Sequence, residues 1–237
     1  MSEKVKVLIA IQARSTSTRL QDKARKLVCG IPMLDRVIKN AKRSQGYINS
    51  KMKYNTFVEL ALLVPLGDSL ADEYRGQCTV VEGPEDDVLT RYHMALTTFQ
   101  PEYIVRITAD CPLLPPEVIS GHITRAVNHQ IDYVSNVDPE TRTYPDGFDC
   151  ECISNRLMNW VNTNAQSAYD REHVTTLIRS APPPWAAIRD VHARIDCSHM
   201  KLSIDTKDEL FEVNTYHDCI GRKYERSTKK HGGMFIL

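Results

Sequence analysis

Short apolar, β-rich runs alternate along this chain with amphipathic stretches of helical period, and that alternation limits the available folds more than any other feature. Val5 to Ile11 is followed by Met33 to Ala41, Val58 to Val64 by Leu70 to Tyr74, Thr79 to Val81 by Val88 to Phe99, and Tyr103 to Thr108 by Val118 to Val127; Tyr133 to Ser135 reads as a further strand. Strands separated by helices build parallel sheets, because a crossover of a dozen or more residues is needed to bring the chain back to the same edge. The expectation is an α/β fold, a mostly parallel central sheet with helices on both faces. Pro32, Pro84 and Pro116 suit first-turn helix positions, and Thr206 with Glu209 has capping-box spacing before a helix through Tyr216. Leu202 to Ile204 is expected as a short strand ahead of it. From Tyr144 to about Arg194 the alternation breaks into shorter candidates, Cys150 to Ile153, Leu157 to Val161 and His173 to Ile178. This reads as an insertion at about 140–195, shaping a second wall of the site, within one domain spanning 1–237.

Composition narrows the function classes. At 42% apolar and 25% charged residues the chain is an ordinary globular one, and no apolar run approaches the roughly 20 residues of a membrane helix. The short apolar run at the N-terminus leads into a polar Arg/Ser/Thr segment without a small-residue cleavage site, so it reads as a buried first strand and not as a signal peptide. Lys plus Arg and Asp plus Glu balance at 30 each, which leaves no global field to hold nucleic acid; any anion site must be local. Seven scattered cysteines without a CxxC framework suit reduced thiols and a cytoplasmic location. Cys150-x-Cys152 and Cys197-x-His199 are read as strand and loop residues, with no zinc assigned.

The segment after the first strand carries the most chemistry. From Gln12 to Lys26 it holds Arg14, Arg19, Lys23, Arg25 and Lys26 against one acid, Asp22. It lies at the carboxyl end of a strand, where parallel α/β folds bind ligands. Arginine forks and lysine ammonium groups can hold several phosphate oxygens, and the small hydroxyl residues Ser15 to Thr18 let backbone amides approach the same phosphates. The segment is therefore a candidate triphosphate cradle, the alternative being a solvated basic loop. It matches neither GxxxxGK[ST] nor GxGxxG, which argues against Walker-type NTPases and dinucleotide dehydrogenases. Asp110 and Asp205 each follow an expected strand, and two strand-end carboxylates from distant sequence positions can converge on magnesium. Asp208 reads as a first-turn acid that stabilises its helix. Arg91, after Asp86 and Asp87, could reach a ligand at the strand ends. Pro145-Asp146-Gly147 is turn chemistry, and Asp149 and Glu151 after it would share one strand face.

The basic loop, TADCPLL, YPDGFDCE, REHVT and SIDTKDEL, in this order, resemble the spore-coat polysaccharide and acylneuraminate cytidylyltransferase-like families, whose relatives include CMP-sialic acid and CMP-KDO synthetases. The resemblance implies a Rossmann-like nucleotidyltransferase fold with a small inserted substrate-side or dimerisation region, CTP as co-substrate, magnesium as cofactor and a homodimer. It puts Ala13, Arg14, Arg19 and Lys23 on the nucleotide loop, with Arg91 beside them, and Asp110 and Asp205 on the metal positions; Arg14, Lys23, Asp110 and Asp205 would be the catalytic set. It puts Tyr144, Asp146, Asp149, Glu151, Arg171 and His173 along the acceptor pocket, where Arg142, Arg171 and His173 could bind carboxylate or phosphate. Relatives commonly read RLPGK where this chain has Arg19-Leu20-Gln21-Asp22-Lys23, so the turn-forming proline and glycine are missing and an acid stands near the triphosphate. The implied reaction transfers CMP to a sugar acid or a phosphorylated or phosphonate acceptor for surface-glycan precursors. A metal-dependent nucleotide-sugar glycosyltransferase and a non-catalytic nucleotide-binding protein are the alternatives.

Overall fold

The computed structural model describes residues 4–50 and 55–215. A seven-stranded sheet runs in the order β5 (Thr79–Gly83), β4 (Thr56–Pro65), β1 (Val5–Gln12), β6 (Tyr103–Thr108), β8 (Glu151–Ser154), β7 (Tyr133–Ser135), β9 (Ile188–Asp190). All neighbours are parallel except that β8 runs antiparallel to both β6 and β7. A separate two-stranded ribbon, β2 (Leu27–Val28) with β3 (Ile31–Pro32), leads into α1 (Met33–Ser50).

The alternation of side chains explains why β1 lies at the centre. Val7, Ile9 and Ile11 enter one apolar cluster with α1, α2 (Ser69–Tyr74) and α4 (Pro116–His129). Leu8 and Ala10 enter a second with α3 (Val88–Phe99), α5 (Asn155–Asn164) and α7 (Thr176–Ser180). A strand apolar on both faces is stable only when covered twice, and each fully buried Val, Ile or Leu contributes roughly 1.5–3 kcal/mol. The expected α/β architecture, with helices on both faces, is the one found.

Several local expectations change. Leu202 to Ile204 joins no strand ladder: Lys201 forms an isolated bridge with Asp146, the Leu202 and Ser203 amides both donate to Asp146 O, and the Ile204 amide donates to Asp110 O. Its backbone groups are satisfied by two loops, so it needs no partner strand. Pro116 does open α4, but Pro32 closes β3 just before α1, and Pro84 precedes α3, whose N-cap is Asp87 with its carboxylate accepting from the Thr90 amide. Thr206 and Glu209 form the reciprocal capping box, at 3.2 and 2.9 Å, that opens the final helix, α8 (residues 207–215). The expected helix end at Tyr216 lies outside the described residues. The segment 140–195 supplies β8, α5, α6 (Ala168–His173), α7 and β9, so much of it is woven into the main sheet. Among the described residues no helix is long and apolar enough to cross a membrane.

Candidate active site

The parallel strands β1, β4, β5 and β6 end at one edge of the sheet, so the loops after Gln12, Pro65, Gly83 and Thr108 face one another. Register makes the closeness specific: Gln12 lies opposite Leu63 on one side and Thr108 on the other. The Ala13 amide bonds Leu63 O and the Ala109 amide bonds Gln12 O, continuing the ladder one residue into each loop. Asp68, which caps α2, also accepts from the Ser15 amide at 2.7 Å, and Thr16 donates to Glu85. The basic loop is thus tied down to the loops after β4 and β5.

The turn that lacks proline and glycine is solved differently. Asp22 itself takes the left-handed conformation, φ 56° and ψ 39°, which aspartate tolerates better than most residues. Its carboxylate turns to Arg25, whose guanidinium also meets Glu73 and Ser69. The acid is neutralised within the turn, and Arg25 is engaged there.

Lys23, one residue on, reaches both of the expected carboxylates: Nζ lies 3.1 Å from Asp110 Oδ2 and 2.9 Å from Asp205 Oδ1. Arg19 Nη2 sits 3.2 Å from the same oxygen of Asp205. Asp110 is held by the Thr108 hydroxyl, and its carbonyl accepts from the Ile204 amide, which fixes the Asp205 segment against it. Burial works against charge on both Lys23 and Asp110, but the attraction between them wins, so the lysine is raised and the aspartate lowered from their ordinary values. Residues 87 and 182 positions apart from Lys23 therefore converge on one point.

Beside this point a pocket of about 230 Å³ is lined by Arg106, Thr108, Asp110, Asp146, Asp149, Lys201, Ser203 and Asp205 among others. Asp146 accepts from Lys201 Nζ at 2.8 Å and from Ser203; Asp149 accepts from Arg142 at 2.8 Å. Gly147, at φ 109°, lets the 145–149 turn press on the Leu202–Ser203 backbone: a Cβ there would fall 2.3 Å from Ser203 N. Burial raises the Asp149 pKa from its ordinary value despite Arg142.

Other residues expected here lie elsewhere. Glu151 is buried between β6 and β8 and bonded to Arg106 at 2.6 Å, because β8 is so enclosed that its acid needs an internal partner; it does not share a strand face with Asp149, which precedes β8. Tyr144 packs in the core. Arg171 is consumed by Asp87, Thr90, Asn162 and Ala165, clamping α6 to the start of α3. His173 ends α6 against the Tyr169 ring. Arg14 is exposed on the loop, whereas Arg91 is buried at 1% exposure with Nε and Nη1 unpartnered. Burial lowers the pKa of Arg91, and its charged neighbours include Arg14, Asp68 and Glu85 of the loops around the cradle. Lys201, Ser203 and Arg106 were not singled out by the sequence, although an arginine within the apolar run YIVRIT is a visible irregularity.

Among the described residues no group of three or more His, Cys, Asp or Glu is placed to hold a metal. Asp110 and Asp205 meet at the Lys23 ammonium, and two such carboxylates fit a hard cation that retains waters and takes further oxygens from a substrate phosphate.

Residues 8–212 match the protein family described as cytidylyltransferase. The chain belongs to the cytidylyltransferase family. It is a CTP-dependent nucleotidyltransferase. This cytidylyltransferase is 25% identical over 232 residues to the spore coat polysaccharide biosynthesis protein SpsF of Bacillus subtilis (strain 168), covering 94% of the chain and 91% of that relative. Its fold matches a cytidylyltransferase from Leptospira borgpetersenii serovar Hardjo-bovis (strain JB197) at a TM-score of 0.77 and 22% identity, over 98% and 100% of the two chains. It also matches CMP:2-keto-3-deoxy-manno-octonic acid synthetase complexed with CTP at a TM-score of 0.66 and 13% identity, over 91% and 99%.

Proposed function

We propose that this cytidylyltransferase transfers CMP from CTP to a small anionic acceptor, a sugar acid or a phosphorylated or phosphonate compound, and releases pyrophosphate. The observation that carries the reading is Lys23 held between Asp110 and Asp205 at the mouth of a polar pocket, beside the basic loop. Arg14, Arg19 and Lys23 provide charge for the triphosphate and for the pyrophosphate as it leaves, and buried Arg91 offers two unpartnered donors on the nucleotide side. Asp110 and Asp205 would hold magnesium, which supplies Lewis-acid polarisation of phosphate oxygens when bound. The rigid strand ends keep the acceptor oxygen and the α-phosphorus in line, and no covalent enzyme intermediate is needed. Asp146, Asp149 and Lys201 form the acceptor side. Likeness to SpsF supports a role in surface-glycan precursor synthesis, and the family resemblance supports a cytoplasmic homodimer.

The test is pyrophosphate release with each of the four NTPs and magnesium against sugar acids, sugar phosphates and phosphonates. CTP-specific release with one acceptor class is expected. Release of a nucleoside diphosphate would instead indicate a glycosyltransferase, and CTP binding without turnover a binding protein.

A further inference from the structure

One cation lining the pocket, Arg106, shares its carboxylate partner with a second arginine. Asp146 has Lys201, Asp149 has Arg142, and Asp110 with Asp205 have Lys23 and Arg19. Arg106 differs. It lies in β6 opposite Glu151 in the antiparallel register, and its Nη1 donates to Glu151 Oε2 at 2.6 Å. The same carboxylate lies 3.6 Å from Arg179 and accepts from the Tyr133 hydroxyl. One buried carboxylate therefore serves two guanidinium groups, and this cluster carries an excess positive charge where little water can screen it.

Arg106 also has a donor without a partner. Its Nε is buried without a hydrogen-bond partner, while the residue lines the pocket and its side chain is 16% exposed. Opposite it on β1 stands Ala10, a small side chain. Glu151 holds the fork from one side, and the Tyr133 hydroxyl holds Glu151. A guanidinium held on one side and unsatisfied on another is suited to a planar or tetrahedral oxyanion.

We infer that Arg106 is the specificity-determining residue for the acceptor, receiving its carboxylate or phosphate group from the pocket while Glu151 anchors the far side of the fork. This rests on the cytidylyltransferase reading of the pocket and deepens it. The anionic group of the acceptor completes the charge balance of the cluster, so neutral analogues of the same sugar lose this contact.

The test uses the full chain, ¹⁵N-labelled at arginine, with CTP and magnesium present to fill the basic loop. The Arg106 Nε–H resonance, assigned by its disappearance in Arg106→Lys, is followed during titration with inorganic phosphate, acetate and chloride at matched ionic strength. A saturable shift at millimolar phosphate or acetate, absent with chloride, is expected. Phosphate alone identifies a phosphorylated acceptor, acetate alone a sugar acid, and either outcome supports the assignment. An Arg106 resonance that moves no differently in the three salts overturns it. Failure of the wider reading is seen separately, as no response of the Arg14 and Arg19 resonances when CTP is added.

Discussion

Replacing Gly147 by alanine tests how the 145–149 turn holds Asp205 in place. The added Cβ would lie 2.3 Å from Ser203 N, 2.4 Å from Leu202 C and 2.8 Å from Leu202 O, all backbone atoms that cannot rotate away. Keeping φ at 109° costs an L residue about 1–3 kcal/mol. Separating the two segments strains or breaks three backbone hydrogen bonds, Asp146 N to Met200 O, and Leu202 N and Ser203 N to Asp146 O, each contributing about 0.5–1.5 kcal/mol. The chain can relax part of this, so a loss of about 3–5 kcal/mol is expected in urea unfolding monitored by circular dichroism. Because Asp205 follows directly on the displaced segment, CTP turnover should fall as well. A loss below about 1 kcal/mol with undiminished turnover would refute the argument that this contact positions Asp205.

Three further outcomes follow from the geometry. Lys23→Met should lower kcat by about 10²–10³-fold in a steady-state pyrophosphate assay, the usual effect of removing one preorganised stabilising group; a loss under tenfold would contradict the role given to it. Arg171→Met should lower stability by about 1–2 kcal/mol, since the pair with Asp87 is partly exposed and screened, while the KM for CTP changes less than threefold. His122 is buried in α4 with Nε2 unpartnered, and burial lowers its pKa from 6.5 to about 4. The unfolded chain therefore takes up this proton first as pH drops. Stability present above pH 6.5 should be lost progressively towards pH 4, by about 3 kcal/mol from this residue. His122→Leu should flatten that part of the stability profile, and an unchanged slope would show that the ring is not held neutral.

The sheet was legible because its central strands are largely apolar on both faces, a pattern that a doubly covered strand satisfies; β1, β4 and β6 follow from it. Asp110 was legible as a strand-end acid, and Asp205 was singled out although the strand expected before it does not form; their convergence through Lys23 depends on pairing between segments far apart in sequence, which no local pattern reports. The 201–204 segment misled because Leu202 and Ile204 alternate like a strand, yet their backbone is satisfied by the Asp146 and Asp110 loops. Glu151 and Arg171 are charged residues of the kind that line a polar pocket. Burial decided otherwise for the first, and a helix cap engaged the second. Asp22 shows the opposite case, a departure from the usual turn residues whose compensation by Arg25 sits three positions away and could be read only from the fold.

The most direct test of the central claim follows the label from CTP carrying ³²P at the α position, with magnesium and the acceptor found by the NTP panel, in the native chain and in Asp110→Asn and Asp205→Asn. The account predicts α-label in the acceptor product, unlabelled pyrophosphate, and near-complete loss in both variants. Transfer of the terminal phosphate, or undiminished α-label transfer in either variant, would contradict it.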